Sequence, residues 1–402
     1  MKNSDIVLCL NSGSSSLKFA VFRIGEGVEQ RLVTGAVEGI GTDAGSARVE
    51  AGEVRTNRRG NFPDADAALD TAFALLDASK VAAIDVVGHR VVHGGAEYAE
   101  PALIDPAMLR GLEAVVPIAP LHMPGAIAAM KAVQRRAPNL PQVACFDTAF
   151  HRTLPIVAKR LPIPDTLHES GVRRYGFHGL SYEYVMSALG PGRPSRIVIA
   201  HLGNGASLVA VRDGAALDTT MGFTPDGGIP MGTRTGDIDP GVLLYLARER
   251  SYDLAALEKL VEHESGLLAL GGTSDVKTLL ERAARDERAR LALDVFAYAV
   301  KKTIGAYAAA LGGLDLLVFT GGIGEHSPEI RARACDRLEF LGVVLDQARN
   351  GRNDAVISAA NSACAVRVVE TDEEVVIARH ARSILRNVSA ERRRRPDHGE
   401  TR

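Results

Sequence analysis

Two stretches of the chain place short apolar runs on either side of a small polar turn. The first, IVLCLNSGSSSLKFAV, ends at Val21, and the second, IVIAHLGNGASLVAV, recurs at an offset of 190 positions. β-Branched and other apolar residues predict strands, while Gly13, Gly203 and Gly205 predict turns in which a ligand can approach the backbone. A repeat at this long spacing indicates a duplicated domain and not a solenoid. We therefore expect an α/β protein made of two related domains.

A third pattern, later in the chain, combines a helix, a strand and a glycine cluster. Apolar residues recur at three- and four-residue steps over 293–311, which predicts an amphipathic helix that ends at Gly312. The buried strand LDLLVFT follows, and Ser327 before Pro328 predicts the N-cap of the next helix. Ligands of open α/β sheets bind at such strand-to-helix crossings. This crossing contains Gly321, Gly322 and Gly324.

Composition narrows the class of protein. The chain has 402 residues, 46% hydrophobic residues and a formal net charge of −2, which predicts a globular protein of two or three domains without a charge signature of nucleic-acid binding. No apolar run reaches the roughly 18 residues of a membrane span, and the first run is too short for a signal peptide. The cysteines form no CxxC pair, which predicts reduced thiols at Cys9, Cys145, Cys335 and Cys364. We therefore expect a cytoplasmic protein without a membrane or nucleic-acid partner.

The serine-rich turn of the first hairpin has a composition suited to anions. Its hydroxyl groups, its free backbone N–H groups and Lys18 on the outgoing strand would form a concave surface rich in hydrogen-bond donors. A tight turn without a ligand is the alternative interpretation. The chain contains neither G-x-x-x-x-G-K-[ST] nor a G-x-G-x-x-G that opens a helix after a strand. The two glycine hairpins would therefore have to hold the phosphates of any bound nucleotide.

Charged residues between the hairpins indicate the chemistry. Arg90 and Arg234 lie beside glycines in segments with few acidic residues, whereas a structural arginine usually has carboxylate neighbours. Two such arginines together with two phosphate-type hairpins indicate phosphoryl transfer. Magnesium takes few protein ligands in such sites, which suits Glu373 in VVETDEEVV, although an exposed acidic loop is the alternative. Asp239 before Pro240 predicts only a helix cap.

Ten motifs occur in order between residues 11 and 374, and together they resemble the acetokinase family. They are NSGSSSLKF, GHRVVHGG, APLH, FDTAFH, RYGFHGLS, HLGNGASL, MGFTP, GTRTGDIDPG, FTGGIGE and TDEE. The resemblance implies two duplicated actin-like ATPase domains of the ribonuclease H-like type, with a cleft between them. It also implies a homodimer that transfers a phosphoryl group reversibly and in line between ATP and acetate, giving acetyl phosphate and ADP, with Mg²⁺ or Mn²⁺ as cofactor.

The resemblance further implies roles for the charged side chains. Arg90 and Arg234 would bind the acyl carboxylate and the phosphoryl group that is transferred. His178 would donate a hydrogen bond to that group, His122 would assist nearby, and Asp147 would be the catalytic aspartate. The metal would be held by Asn11 and Glu373, with Ser14, Ser16 and Lys18 beside Asn11.

Two larger sets of residues are implied in the same way. The nucleotide would be bound by Lys18, His201, Leu202, Gly203, Asn204, Gly205, Asp275, Lys277, Gly321, Gly322, Ile323, Gly324 and Glu325. The methyl group of the acid would lie in a small apolar pocket formed by Val92, Leu121, Phe177 and Pro225.

An acid or base role for Asp147 is not required by the chemistry of the substrate. A carboxylic acid is almost fully ionised near pH 7, because carboxyl pKa values lie at about 4, so no proton has to leave the nucleophile. We therefore expect Asp147 to orient Arg90 or metal-bound water, and not to act as an acid or base.

Departures from the family pattern bear on specificity. Met123 in PLHMP replaces an asparagine near the substrate, TPDGGIPMGTRTG replaces the commoner TPLEGLMMGTRSG, and Lys277 replaces a nucleotide-facing arginine. Methionine is flexible and would alter the shape of the pocket, and lysine cannot make the planar two-pronged contact of arginine. Because one methylene in an apolar pocket is worth only about 1–3 kcal/mol, propionate or another short-chain acid is the alternative substrate.

We expect the chain to divide near residue 150. An N-terminal domain over 1–150 would receive a returning helix over 374–388, a C-terminal domain over 151–373 would bind nucleotide and form the dimer, and 389–402 would be a disordered tail. A nucleotide-driven binding switch with the same fold is the alternative from another functional class. It predicts a site without convergent arginine and histidine, and an additional partner-binding domain.

Overall fold

The computed structural model describes the backbone of residues 4–13, 15–80 and 82–394, with side chains as far as residue 390. Ser14 and residues 395–402 of the predicted tail lie outside the described residues. The chain divides into two compact units. Unit 1 comprises Met1–Ala149 and Asp372–Arg402, and unit 2 comprises Phe150–Thr371.

Within the described residues, strands form one sheet of eight and one sheet of five. The strands are β1 Ser4–Ser12, β2 Ser16–Gly25, β3 Val28–Glu38, β4 Gly45–Ala51, β5 Val54–Gly60, β6 Val86–Val91, β7 Ala102–Leu103, β8 Gln142–Phe146, β9 Arg196–Leu202, β10 Ala206–Arg212, β11 Ala215–Thr219, β12 Leu316–Thr320 and β13 Ala365–Val368.

The helices flank these strands in sequence. They are α1 Ala65–Ala78, α2 Pro106–Val115, α3 Met123–Arg136, α4 Ile156–Lys159, α5 Asp165–Glu169, α6 Gly179–Leu189, α7 Pro240–Glu249, α8 Leu254–His263, α9 Gly266–Gly271, α10 Val276–Arg282, α11 Glu287–Leu311, α12 Gly321–His326, α13 Pro328–Cys335, α14 Gln347–Gly351 and α15 Glu373–Arg394. In the part of the chain that the structure describes, none of them combines the length and the apolar character needed to cross a membrane.

The two sheets share one design. In unit 1 the strand order is β5-β4-β3-β2-β1-β6-β8-β7, and in unit 2 it is β11-β10-β9-β12-β13. In each unit an antiparallel hairpin, β1-β2 or β9-β10, is extended by two parallel strands, β6-β8 or β12-β13. The five strands β3-β2-β1-β6-β8 therefore correspond to the whole second sheet. The predicted α/β class and the predicted duplication are confirmed.

The hairpin turns are shorter than the sequence suggests. Asn11 belongs to β1 and pairs with Lys18 on β2, so only the centre of NSGSSSLK forms the turn. The last pair of the first hairpin is Ser12 with Leu17, whereas the second hairpin closes with Leu202 opposite Ala206. The second turn is therefore one residue shorter than the first. The alignment of the two repeats at one constant offset does not reveal this difference.

The helix that returns to unit 1 is longer than predicted. Helix α15 covers Glu373–Arg394, whereas the sequence predicted a helix over 374–388 and a disordered tail from 389. Its buried residues Val376, Ile377 and Ala381 pack against the sheet of unit 1. The segment SAERRRR contains good helix formers, and the first helix-breaking residue is Pro396, so nothing in the sequence ends the helix at residue 388.

The core of unit 2 lies between its sheet and two helices. Tyr182 and Val185 of α6 are fully buried in a cluster with apolar residues of β9, β10 and β12. Helix α11 buries Phe296 and Val300 and ends where Gly312 adopts a left-handed backbone with φ 73°. The predicted helix over 293–311 and its glycine stop are confirmed, because the apolar period matches one buried face.

Candidate active site

The carboxyl ends of the central strands of unit 1 carry three of the predicted residues. Asn11 is the penultimate residue of β1, and Arg90 holds the same place in β6. Asp147 directly follows β8, and its backbone N–H donates to the Val91 carbonyl at 2.9 Å. Because β1, β6 and β8 are adjacent and parallel, their carboxyl ends meet at one edge of the sheet, which is where open α/β sheets bind ligands.

The guanidinium group of Arg90 is held by carboxylates. Its Nε lies 3.2 Å from both carboxylate oxygens of Asp147, and its Nη2 lies 2.7 Å from Asp147 Oδ2. Glu373 Oε2 lies 3.6 Å from Nη1. Burial favours the neutral form, but attraction to Asp147 and Glu373 raises the pKa of Arg90, so the group stays cationic. The segment around Arg90 is poor in acids, as the sequence shows, but the inference that Arg90 lacks carboxylate neighbours is wrong, because Asp147 and Glu373 come from distant segments.

The acidic run at the start of α15 is divided between two arginines. Arg31 binds Asp372 at 2.7 Å and Glu374 at 2.8 Å. Glu373, between them, faces Arg90 at the longer distance of 3.6 Å. The run is therefore not an exposed loop, since it opens a helix and each carboxylate has a cationic neighbour. Glu373 is the carboxylate of this run with the loosest ion pair.

The start of α3 lies against the first hairpin. A Cβ atom on Gly125 would lie 2.7 Å from the Gly13 carbonyl oxygen, so only glycine permits this approach. His122 occupies the N-cap position of α3 and is half-buried. Met123, which was expected to alter the substrate pocket, has a fully buried side chain in an apolar cluster with Val91. Its side chain therefore contributes to the core of unit 1.

In unit 2, His178 has an unusual backbone conformation. It precedes α6 with φ 57° and ψ 25°, a left-handed geometry that is uncommon for residues other than glycine. The preceding carbonyl, that of Phe177, accepts a hydrogen bond of 2.9 Å from His151 Nε2. Burial lowers the pKa of His151 to about 4, so its ring is neutral. Arg174 supports the same segment by donating to the Thr219 carbonyl at 2.6 Å.

Two histidines of unit 2 stack on each other. The rings of His178 and His201 have centroids 4.2 Å apart and planes inclined by 21°. Nδ1 of His178 lies 2.8 Å from Ser207 Oγ, and Nδ1 of His201 lies 2.8 Å from Ser181 Oγ. Each ring is therefore oriented by a buried serine.

Arg234 and His178 meet at the second hairpin. A Cβ atom on Gly205 would lie 3.3 Å from His178 Nε2 and 3.6 Å from Arg234 Nη1. Arg234 also lies 3.5 Å from Asp226 through Nε and donates to the Pro225 carbonyl at 3.3 Å. Arg234, like Arg90, therefore has a carboxylate neighbour, whereas the sequence predicted few acidic residues around it. A cation and an imidazole nitrogen thus both lie close to a glycine of the predicted phosphate hairpin.

A cavity of about 840 Å³ lies in unit 2 and brings together six of the predicted nucleotide residues. These six are Gly203, Asn204, Asp275, Lys277, Gly322 and Ile323. The other lining residues were not predicted to bind a ligand; they are Ser274, Val276, Leu280, Ala283, His326, Ser327, Pro328, Glu329 and Arg333. The apolar residues that line the cavity can pack against a flat ring, and the charged residues can form hydrogen bonds or ion pairs with polar groups of a ligand.

The other predicted nucleotide residues do not line this cavity. Glu325 Oε1 accepts hydrogen bonds from the Gly321 N–H at 2.8 Å, the Thr371 N–H at 3.0 Å and the Thr320 hydroxyl at 3.3 Å. Leu202 is fully buried in the core. His201 lies near the end of β9, Gly205 lies in the turn between β9 and β10, and Gly321 and Gly324 belong to α12. Lys18 is exposed in unit 1.

The four residues predicted for the methyl pocket belong to both units. Val92 and Leu121 lie in unit 1 and are half-buried, and Phe177 and Pro225 lie in unit 2 and are buried. Within unit 2, Pro225 contacts Arg234 through its carbonyl group, and Phe177 directly precedes His178. The two members in unit 2 are therefore adjacent to residues expected to act on the phosphoryl group.

Comparison with known proteins gives a family for this chain. The family model described as the acetokinase family matches residues 6–379. The acetate kinase of Nitrobacter hamburgensis is 46% identical over 391 residues, which cover 95% of this chain and 96% of that protein.

Two crystal structures match over the same length. The acetate kinase of Porphyromonas gingivalis has a TM-score of 0.86 at 38% identity and covers 95% of this chain and 100% of its own. A propionate kinase from Francisella tularensis has a TM-score of 0.90 at 36% identity and covers 94% of this chain and 100% of its own. Both are kinases with the fold described above. The chain itself belongs to the acetokinase family, as the motifs predicted, and this membership implies kinase chemistry with ATP as a substrate.

Proposed function

We propose that this protein transfers the terminal phosphoryl group of ATP to acetate. A carboxylate oxygen forms the new bond to phosphorus, the bond to ADP breaks, and the products are acetyl phosphate and ADP. The observation that carries the proposal is the approach of both His178 Nε2 and Arg234 Nη1 to Gly205, where a Cβ atom would lie 3.3 Å and 3.6 Å from them. This hairpin supplies Gly203 and Asn204 to the cavity of unit 2, so the two donors lie at the end of a site suited to a nucleotide.

Each charged residue has a role that fits its contacts. Arg90 and Arg234 bind the acyl carboxylate and neutralise charge on the transferring group, and His178 donates a hydrogen bond to that group. Asp147 orients Arg90, which donates hydrogen bonds to both of its carboxylate oxygens. His122 assists from the N-cap of α3, whose helical N–H groups favour anions. Because the acid is already an anion, no proton transfer from the nucleophile is needed.

We also propose that Asn11 and Glu373 hold a magnesium ion, for which manganese can substitute. Hard oxygen ligands in small number suit Mg²⁺, whose remaining ligands are phosphate oxygens and water. Glu373 fits because Arg31 holds the carboxylates on either side of it and leaves Glu373 to a looser pair. Cys9 Sγ donates to the Glu374 carbonyl at 3.3 Å, and Asn11 follows two residues later on β1. The ion, when bound, neutralises charge on the phosphates.

Propionate is the second candidate substrate. The structural similarity to a propionate kinase, with a TM-score of 0.90, favours this alternative. The test is a comparison of kcat/KM for acetate, propionate and butyrate with ATP and Mg²⁺. We expect a preference for acetate of roughly tenfold over propionate, because one methylene is worth about 1–3 kcal/mol. A reversed order would identify a propionate kinase, and no acyl phosphate from any acid would favour the nucleotide-driven binding switch.

We further propose a homodimer formed through α7 and α8 of unit 2. Both helices are rich in apolar residues, yet neither buries a residue within the chain. Leu244, Tyr245 and Leu254 are about half exposed or more, and such apolar faces mark interfaces. Light scattering should give twice the chain mass, and Leu244→Lys with Leu254→Lys should give a monomer. Val54→Lys, at an exposed apolar position of unit 1, is the matched control.

The buried, unbridged state of all four cysteines suits a reducing compartment. We therefore propose that the enzyme acts in the cytoplasm.

A further inference from the structure

Three side chains of unit 2 form a row of hydrogen bonds. The hydroxyl of Tyr182, on α6, lies 2.5 Å from Ser207 Oγ on β10. The same Ser207 oxygen lies 2.8 Å from His178 Nδ1. Tyr182 and Ser207 are both fully buried, while His178 is half-buried. Neither Tyr182 nor Ser207 was among the predicted site residues.

The direction of these hydrogen bonds follows from counting hydrogens. Burial raises the pKa of Tyr182, so the phenol keeps its hydrogen. Among the residues that the structure describes, Ser207 Oγ is the only hydrogen-bond partner of this phenol, so the phenol donates to it. A serine hydroxyl has one hydrogen of its own, and the other partner of Ser207 Oγ is His178 Nδ1. Ser207 therefore donates to His178.

The tautomer of His178 follows. A neutral imidazole carries one hydrogen, and when Nδ1 accepts a bond the hydrogen resides on Nε2. The opposite tautomer would leave the Ser207 hydrogen without an acceptor in a fully buried position, which is unfavourable. Nε2 is the atom that faces Gly205 next to Arg234.

We propose that Tyr182 and Ser207 are positioning residues that hold His178 in the Nε2–H tautomer and so present a neutral hydrogen-bond donor to the transferring phosphoryl group. The last clause rests on the proposed function, whereas the tautomer does not. A donor fixed before the reaction needs no reorganisation in the transition state. This row of hydrogen bonds also fixes the orientation of the His178 ring, because the ring is hydrogen-bonded at Nδ1 and stacked on His201.

The first test is ¹⁵N NMR of the full-length protein labelled at histidine, with the His178 signals assigned by their loss in His178→Asn. We expect Nδ1 of His178 to be unprotonated and Nε2 to be protonated at neutral pH. The double variant Tyr182→Phe/Ser207→Ala should lose this preference. Both residues are changed together because Ser207→Ala alone would leave a buried phenol without an acceptor. A wild-type spectrum with the hydrogen on Nδ1 would overturn the proposal.

The second test separates positioning from general structure. The double variant should lower kcat about tenfold, less than the roughly 100-fold or more that removal of a donor costs, because Nε2 can still carry the hydrogen part of the time, and it should leave KM for ATP within about twofold. Ser181→Ala is the matched control, because Ser181 is an adjacent buried serine bonded to His201 and not to His178. Its His178 tautomer should match the wild type. An equal loss of tautomer preference in both variants would contradict the proposal, whereas an inactive wild type with the expected tautomer would contradict only the proposed function.

Discussion

The carboxylate of Asp147 contacts Arg90 through both of its oxygens, with Nη2 at 2.7 Å and Nε at 3.2 Å. Asp147 is only 1% exposed, so this pair fixes the plane of the guanidinium group. Attraction to Asp147 and Glu373 raises the pKa of Arg90 against the effect of burial, so it remains a cation, and its Nη1 lies 3.6 Å from Glu373. This geometry supports the proposal that Asp147 orients Arg90 for binding of the acid.

Asp147→Asn should therefore weaken binding of the acid without removing an ionisation from catalysis. We expect kcat/KM for acetate to fall about 100-fold, equivalent to about 2.7 kcal/mol, mainly through a higher KM. The pH–rate profile should keep the shape of the wild-type profile. Steady-state kinetics between pH 5.5 and 9 would measure both quantities.

Asp5→Asn is the control for this variant. Asp5 is also a buried carboxylate paired with arginines, Arg382 at 3.1 Å and Arg386 at 2.9 Å, but it lies at the opposite end of β1. It should reduce stability and leave kinetics unchanged. If Asp147→Asn lost one limb of the pH–rate profile while its KM for acetate stayed constant, proton transfer would be the better account.

A buried histidine should make unit 2 sensitive to acid. The pKa of His151 falls from 6.5 to about 4 on burial, so between these values the unfolded chain binds more protons than the folded one. Its contribution to stability is complete above pH 6.5 and is lost as pH falls towards 4. Between pH 7 and pH 5 this amounts to about 2 kcal/mol. Urea unfolding followed by circular dichroism suits a chain without tryptophan.

His151→Asn removes the titrating ring and should reduce the stability difference between pH 7 and pH 5 by about 2 kcal/mol. The same substitution at His326, whose side chain is 68% exposed, is the control. An unchanged pH dependence in His151→Asn would show that the loss of stability arises at other groups.

The elements that the sequence predicts well are those encoded by local patterns. The hairpins, helix α11 and the Ser327 cap follow from apolar spacing and from residues adjacent in the chain. The pairing of Arg90 with Asp147 could not be predicted in this way, because the two residues are 57 positions apart. They meet only because β6 and β8 are parallel neighbours, a register that depends on the whole sheet.

Several residues that line the cavity could not be predicted from the sequence, for the same physical reason. Leu280 and Pro328 are helical residues and Ala283 is the C-cap of α10, and their sequence context carries no ligand signal. They become wall residues only when α10 and α13 pack in the tertiary structure. Glu325 shows the converse, since a motif assigned it to the nucleotide while its carboxylate accepts bonds from three groups of the protein.

Glu325 should therefore act on nucleotide binding through the backbone. Its carboxylate joins the start of α12 to Thr371, the last residue of unit 2. Glu325→Ala leaves these donors without their acceptor and should cost about 2–4 kcal/mol of stability, and it should weaken ADP binding because Gly322 and Ile323 line the cavity. Glu325→Gln keeps an acceptor oxygen and should lose less of both. Thermal unfolding and calorimetric titration with ADP would measure these effects.

Glu329→Ala is the matched control for Glu325. Glu329 lines the same cavity but its side chain is 52% exposed and pairs with Arg333 at 2.9 Å. Exposed pairs of this kind contribute about 0–1 kcal/mol, so its stability should change little. A larger loss of stability in Glu329→Ala than in Glu325→Ala would contradict the role assigned to Glu325.

Lys277 offers the most direct test of the cavity as the nucleotide site. It lines the cavity next to Asp275, whose carboxylate caps α10 by accepting from the Lys277 and Thr278 N–H groups. Lys277→Met should weaken ADP binding about tenfold, or about 1.4 kcal/mol, because a cationic partner is lost. Lys277→Arg should strengthen it, because a planar guanidinium offers two parallel donors.

Lys302→Met is the control for these variants, because the Lys302 ammonium lies 5.5 Å from the centre of the Tyr298 ring and lines no part of this cavity. It should bind ADP as the wild type does. Calorimetric titration at two salt concentrations adds a second criterion. If Lys277 contacts the anionic nucleotide, the affinity of the wild type for ADP should depend more strongly on salt than the affinity of Lys277→Met. Equal affinity and equal salt dependence in Lys277→Met and the wild type would show that the nucleotide binds outside the reach of Lys277.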